Sequence, residues 1–155
     1  CFQKHLEIIR HNYQKAEYFD DVFEKIEELF NSINLQNLSK INQYLIIEIC
    51  KLIDIQTLFH DSKNIMKNFE FENPNDKLLN ICNHLKCNHY YTGPSAKNYI
   101  DEKKFNSNNI EIIWLDYGKD KKYKQFSNNF IEKLSIIDCL MHCGFNANKF
   151  LNTVN

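Results

Sequence analysis

The chain has 155 residues, with 19 Lys and Arg against 20 Asp and Glu and a formal net charge of -1. Neither sign forms a long block, so the electrostatic footprint of a nucleic-acid binder is missing, and no stretch reaches the roughly 20 apolar residues that cross a bilayer. The length fits one domain with a substantial core, and three glycines and two prolines leave little punctuation in it.

Phe2, Leu6, Ile9 and Tyr13 recur at helical spacing and predict a first helix. Because the chain opens inside that pattern, without Met and without a charged-then-apolar leader, it is expected to be the later part of a longer protein. A second helix is expected from a capping Asp20 or Asp21 to about Ser32, with Val22, Ile26, Leu29, Phe30 and Ile33 as its apolar stripe. A third, capped by Ser39, carries Ile41, Leu45, Ile49 and Leu52 to about Asp54. "QTLFHDS" then reads as a first strand near Thr57. "NPNDKLLNICNHLK" enters a helix through Pro74 and a capping Asn75 or Asp76. "NHYYTG" is a second strand, a short helix follows Gly93, Pro94 and Ser95, and "IEIIWLDYG" is a third strand. "NNFIEKLSIIDCLMHCG" closes the chain as a largely buried helix ended by Gly144.

Strands alternating with helices imply parallel pairing with helical crossovers. The expected fold is therefore a helix-rich, three-layer α/β domain around a small, mostly parallel sheet. In such sheets ligands sit where the strands end. Gly93 and Gly118 follow the second and third strands, so both fall where a site is expected. In "YYTGPSAKNYI" a flexible glycine, a proline suited to a first helical turn and a capping Ser95 or Thr92 would leave backbone N–H groups free for an anion. A well-capped ordinary turn accounts for the same residues.

Cys82, His84, Cys87 and His89 stand in a zinc-like order, yet His84 lies about 200° around a helix from Cys82, and no metal is assigned. The sequence assigns no cofactor either. Cys50, Cys82 and Cys139 sit in apolar helical patterns as small hydrophobes, which fits a reducing cytoplasm. Ser135, Asp138 and His142 look like a triad, but about 10 Å of helix separates Ser135 from His142, too far for proton transfer. Asp138 itself costs several kcal/mol in "LSIIDCLM" unless it is paired or faces a polar cavity. A structural hydrogen bond and a functional role both remain open for it. Asn42, beside Ile41 and Leu45, raises the same question, and His5, His11, Tyr13 and Tyr18 gather groups that can hydrogen-bond or stack at a cleft.

Taken in order, "KHLEIIRHNYQKAEYFDDVF", "LSKINQYLI", "YYTGPSAKNYIDEKKF", "IIWLDY" and "LSIIDCLMHCG" resemble the WbqC-like protein family along nearly the whole chain. The family's opening strand with its Gln-Pro-aromatic motif has no counterpart here, and an arginine of the family pattern is Lys77. The resemblance implies a cytoplasmic α/β protein of O-antigen and surface-polysaccharide assembly. Its implied activity is transfer of glycine or another small acyl group to a sugar. It carries the recurrent family residues onto His5, Tyr13, Tyr18, Asn42, Tyr91, Gly93, Tyr99, Ser135 and Asp138. Together with Ser95, these define the expected site: Asp138 and Ser135 catalytic, the others contacting a nucleotide sugar or an activated acyl donor. A non-catalytic nucleotide-sugar-binding or scaffold protein is the alternative.

Overall fold

Apolar residues spaced at about 3.6 organise most of the chain into helices. A computed structural model describes residues 2–68, 70, 73–116 and 121–151. Its helices are α1 (Phe2–Tyr13), α2 (Phe19–Ser32), α3 (Leu38–Leu52), α4 (Ser62–Ile65), α5 (Pro74–His84), α6 (Glu102–Ser107) and α7 (Ile136–Cys143), and its strands are β1 (His89–Thr92) and β2 (Glu111–Trp114). The protein is thus a helix-rich α/β chain with a small two-stranded parallel sheet. Residues 1–57 and 119–155 make up one compact unit and residues 58–118 another.

In the first unit, Leu6 of α1, the face Phe19, Val22, Phe23 and Ile26 of α2, and Cys139, Leu140, Met141 and Cys143 of α7 share one core. Phe19 and Phe23 stack at 5.0 Å across one turn of α2, and Arg10 lies 4.3 Å over the Phe23 ring. The apolar α7 is enclosed on nearly every side, as its composition requires. It stops at Gly144, whose φ of 62° suits glycine, and a Cβ there would lie 2.7 Å from Cδ1 of Tyr18.

The second unit builds on β1 and β2, with Tyr90 opposite Ile112 in parallel register. A parallel pair cannot be joined by a tight turn. The connection here runs through a 3-10 turn at Pro94–Asn98 and then α6. Leu79 and Cys82 of α5, Phe105 of α6 and Ile110 form the buried cluster beneath. Asn75 ties the start of α5 to this crossover, donating to the Tyr99 carbonyl at 3.0 Å and accepting from the Asp101 amide at 2.9 Å. Lys104 pairs with Asp76 beside it.

Several expectations are corrected. Residues 55–61 are irregular, not a strand. Leu58 is 83% exposed, and among the described residues this stretch pairs with no other strand. Residues 128–135 are irregular as well, and α7 begins only at Ile136. The helix caps also move. Asn37, not Ser39, caps α3. Asn73, not Asn75 or Asp76, caps α5, accepting from both of those amides. Asp20 and Asp21 lie inside the first turn of α2 rather than capping it. After Gly93 comes a single 3-10 turn with no side-chain cap from Ser95 or Thr92. Asn42 is exposed, so it raises no burial problem. Gly118 lies outside the described residues.

Candidate functional site

Ser135 opens α7 by accepting the Ile137 amide on its Oγ at 3.3 Å, which places Asp138 in the first turn, where the helix dipole favours a negative charge. Asp138 is 5% exposed, the one buried charged residue of the described core. Its burial is compensated by three donors. Tyr13 Oη donates to Oδ2 at 3.2 Å, and Tyr123 Oη and Gln125 Nε2 donate to Oδ1 at 2.8 and 2.9 Å. One helical turn on, His142 Nε2 lies 3.9 Å from Oδ2. A carboxylate buried among that many hydrogen-bond donors avoids the cost an unpaired one would incur.

Electrostatics keep the phenols as donors. Burial, followed by the charge of Asp138 and the hydrogen bond to it, pushes Tyr13 up to about 12. Burial and then the hydrogen bond to Asp138 raise Tyr123 as well. Gln125 does a second job, because its amide also accepts from the Ile131 N–H at 2.8 Å and donates to the Ile131 carbonyl at 3.1 Å. In this way a glutamine side chain supplies backbone-like pairing to a segment without regular structure. The strap formed by residues 121–135 is fastened to α7 through Tyr123, Gln125 and Asp138.

His142 is 7% exposed at its side chain. Phe126 meets its ring edge-on at 4.6 Å, and the rings of Tyr13 and Tyr123 lie 6.3 and 6.5 Å away. Nε2 is buried and has no hydrogen-bond partner. His142 and Gln125 line a polar cavity of about 300 Å³ together with Lys15, Glu17, Lys124 and Phe126. A second, more apolar cavity of about 220 Å³ has Tyr123, Phe130, Ser135, Ile136, Cys139 and Phe150 in its walls. Burial pushes the Cys139 thiol up to about 12 and raises Cys143, so neither is a reactive thiolate at neutral pH.

The expected site residues divide accordingly. Asp138 and Tyr13 are bonded to one another, and Ser135 caps the helix that carries Asp138. Tyr18 packs its ring on Gly144 and donates its amide to the Met141 carbonyl at 3.2 Å. His5 is exposed, its ring 6.5 Å from that of Phe30, and Asn42 is exposed on α3. In the second unit Tyr91, Ser95 and Tyr99 are exposed, and Gly93 has an ordinary extended backbone, with φ of -79°. Lys97 lies 5.2 Å over the Trp114 ring there. Cys82 is buried while His84, Cys87 and His89 are exposed, and no group of three metal-binding side chains occurs among the described residues. The sequence reading missed Tyr123, Gln125 and the partnership of His142 with Asp138. The signal for the last was present, since Asp138 and His142 are one turn apart on a helix face.

No described helix is long and apolar enough to cross a membrane. The uncharacterized protein Rv1507c of Mycobacterium tuberculosis is 29% identical over 148 residues, which cover 95% of this chain and 62% of that relative. No solved structure matches the chain. The WbqC-like protein family matches residues 1–150. With that match running from α1 through α7, the chain belongs to the WbqC-like protein family.

Proposed function

We propose that this chain is part of a cytoplasmic enzyme of O-antigen or related surface-polysaccharide assembly, one that transfers glycine or another small acyl group to a nucleotide-linked sugar. The observation that carries the reading is Asp138. It is a carboxylate buried in an apolar helix, with two tyrosines and a glutamine donating to it and a histidine beside it at a polar cavity. A carboxylate and a histidine side by side at a polar cavity are the kind of acid–base groups that acyl transfer to a hydroxyl or amine uses. The polysaccharide context is what the resemblance to the WbqC-like protein family implies, and it is part of the proposal. Mass spectrometry of surface glycan from a strain deleted for the full-length gene tests the reading. A substituent of defined mass should disappear and return on complementation. An unchanged glycan would overturn it.

A second reading draws on the saturation of the same groups. Both Asp138 oxygens are occupied and the Ser135 hydroxyl serves a cap, which is what a non-catalytic nucleotide-sugar-binding or scaffold protein would tolerate. On that reading, binding of nucleotide sugars is retained while substitution at Asp138 leaves the glycan unchanged in any variant that folds.

A further inference from the structure

Asp138 is poorly placed to touch a substrate. Its oxygens already accept from Tyr13, Tyr123 and Gln125, and it does not line the polar cavity. His142 differs on both counts. It forms part of the cavity wall, and its Nε2 has no hydrogen-bond partner among the described residues. Nε2 is the enclosed nitrogen and faces the Asp138 carboxylate at 3.9 Å, an ion-pair distance that a small rotation would shorten. A histidine that turns its Nε2–H toward a carboxylate leaves its lone pair on Nδ1.

The geometry points to His142 as the group that accepts the substrate's proton, with Asp138 as its positioning residue and the cavity between the α1–α2 turn and the strap as the acceptor subsite. The inference deepens the acyl-transfer reading and rests on it. In the step it implies, the hydroxyl or amine of the sugar attacks the carbonyl carbon of the activated acyl donor, forming the new C–O or C–N bond while its proton passes to Nδ1. The bond from the carbonyl carbon to the leaving group then breaks, and the imidazolium returns that proton to the leaving group, so protons and electron pairs balance within the site. Lys15, Glu17 and Lys124 are the charged groups lining the cavity with the ring, and Tyr13, Tyr123 and Asp138 surround it from the protein side. Two cations beside one anion suit a sugar-phosphate acceptor better than an apolar or a cationic one.

Long-range ¹H–¹⁵N NMR of the histidine ring in the full 155-residue chain tests this directly. The neutral ring should carry its proton on Nε2, and Asp138→Asn should lower the share of that tautomer. Glucosamine 6-phosphate and UDP-N-acetylglucosamine, titrated into the parent chain, should each give a saturable shift of the His142 Nδ1 resonance. A neutral ring protonated on Nδ1 in the parent overturns the inference. So does UDP-N-acetylglucosamine that shifts resonances elsewhere but leaves His142 unmoved, an outcome that keeps the nucleotide-sugar reading and discards only the role of His142. If neither probe perturbs any residue, both the reading and the inference fall. The parent titration does not depend on whether the variant folds.

Discussion

The Asp138 cluster and the turn after β1 both stand out in the sequence, and the structure treats them in opposite ways. Asp138 is enclosed and meets three donors from two separate stretches of chain. Gly93 takes an ordinary extended conformation, and the 3-10 turn after it has no side-chain cap and leaves Ser95 and Tyr99 exposed. A charge in an apolar run must find partners or unfold the helix around it, so its surroundings are heavily constrained. A glycine next to a proline only permits a turn, and permission leaves the outcome to whatever packs nearby.

The largest test of this contrast is Asp138→Ala. It strips Tyr13, Tyr123 and Gln125 of their common acceptor and should cost about 3 kcal/mol in denaturant unfolding. Asp138→Asn, which keeps one acceptor oxygen, should lose less. A cost below about 1 kcal/mol for Asp138→Ala would mean that the strap is held by other contacts.

Gly144→Ala follows. Its methyl would meet the Tyr18 ring at 2.7 Å and force a residue with a side chain to φ of 62°, at a combined cost of about 2 kcal/mol. Adding Tyr18→Ala should recover part of the clash term and none of the backbone term. A double-mutant cycle in urea separates the two.

Ser135→Ala removes the α7 cap and should cost about 1 kcal/mol by thermal or chemical unfolding, whereas Ser135→Asp should hold the parent value because a carboxylate caps as well. If Ser135 has a further role in chemistry, Ser135→Asp would keep stability and lose activity.

Smaller still is an alkaline effect. Tyr13 is protonated in the fold up to about 12 against about 10 in an unfolded chain, so its contribution is complete below pH 10 and is lost as pH rises from 10 to 12. Tyr13→Phe should therefore flatten the fall in stability over that window relative to the parent. At the low end, Gly93→Ala should change stability by no more than about 0.5 kcal/mol, since φ of -79° suits any residue. A large loss there would show that the turn is more constrained than its backbone indicates.

Helices were the legible part of the chain. The apolar stripes of α1 and α2 predicted the bounds Tyr13 and Ser32 that the structure shows. Capping residues were misplaced where Asn, Ser and Asp crowd a helix start: at α5 Asn73, Asn75 and Asp76 all suit the role, and only the chain's path selects Asn73. The strand expected near Thr57 had suitable residues but no partner edge among the described residues, which a local pattern cannot reveal. Asn42 was misread for a related reason, because α3 buries only Ile41 and leaves the side carrying Asn42 open.

Sequence alone determined that Asp138 needed partners, because the cost of burying its charge follows from its apolar neighbours along one helix. Which groups answer that need was decided by tertiary structure. Tyr13 lies 125 positions away on α1, and Tyr123 and Gln125 come from a segment with no periodic pattern to orient them. Hydrogen bonds are directional and short-ranged, so their partners are chosen by where the folded backbone carries each side chain. Distance along the sequence does not enter.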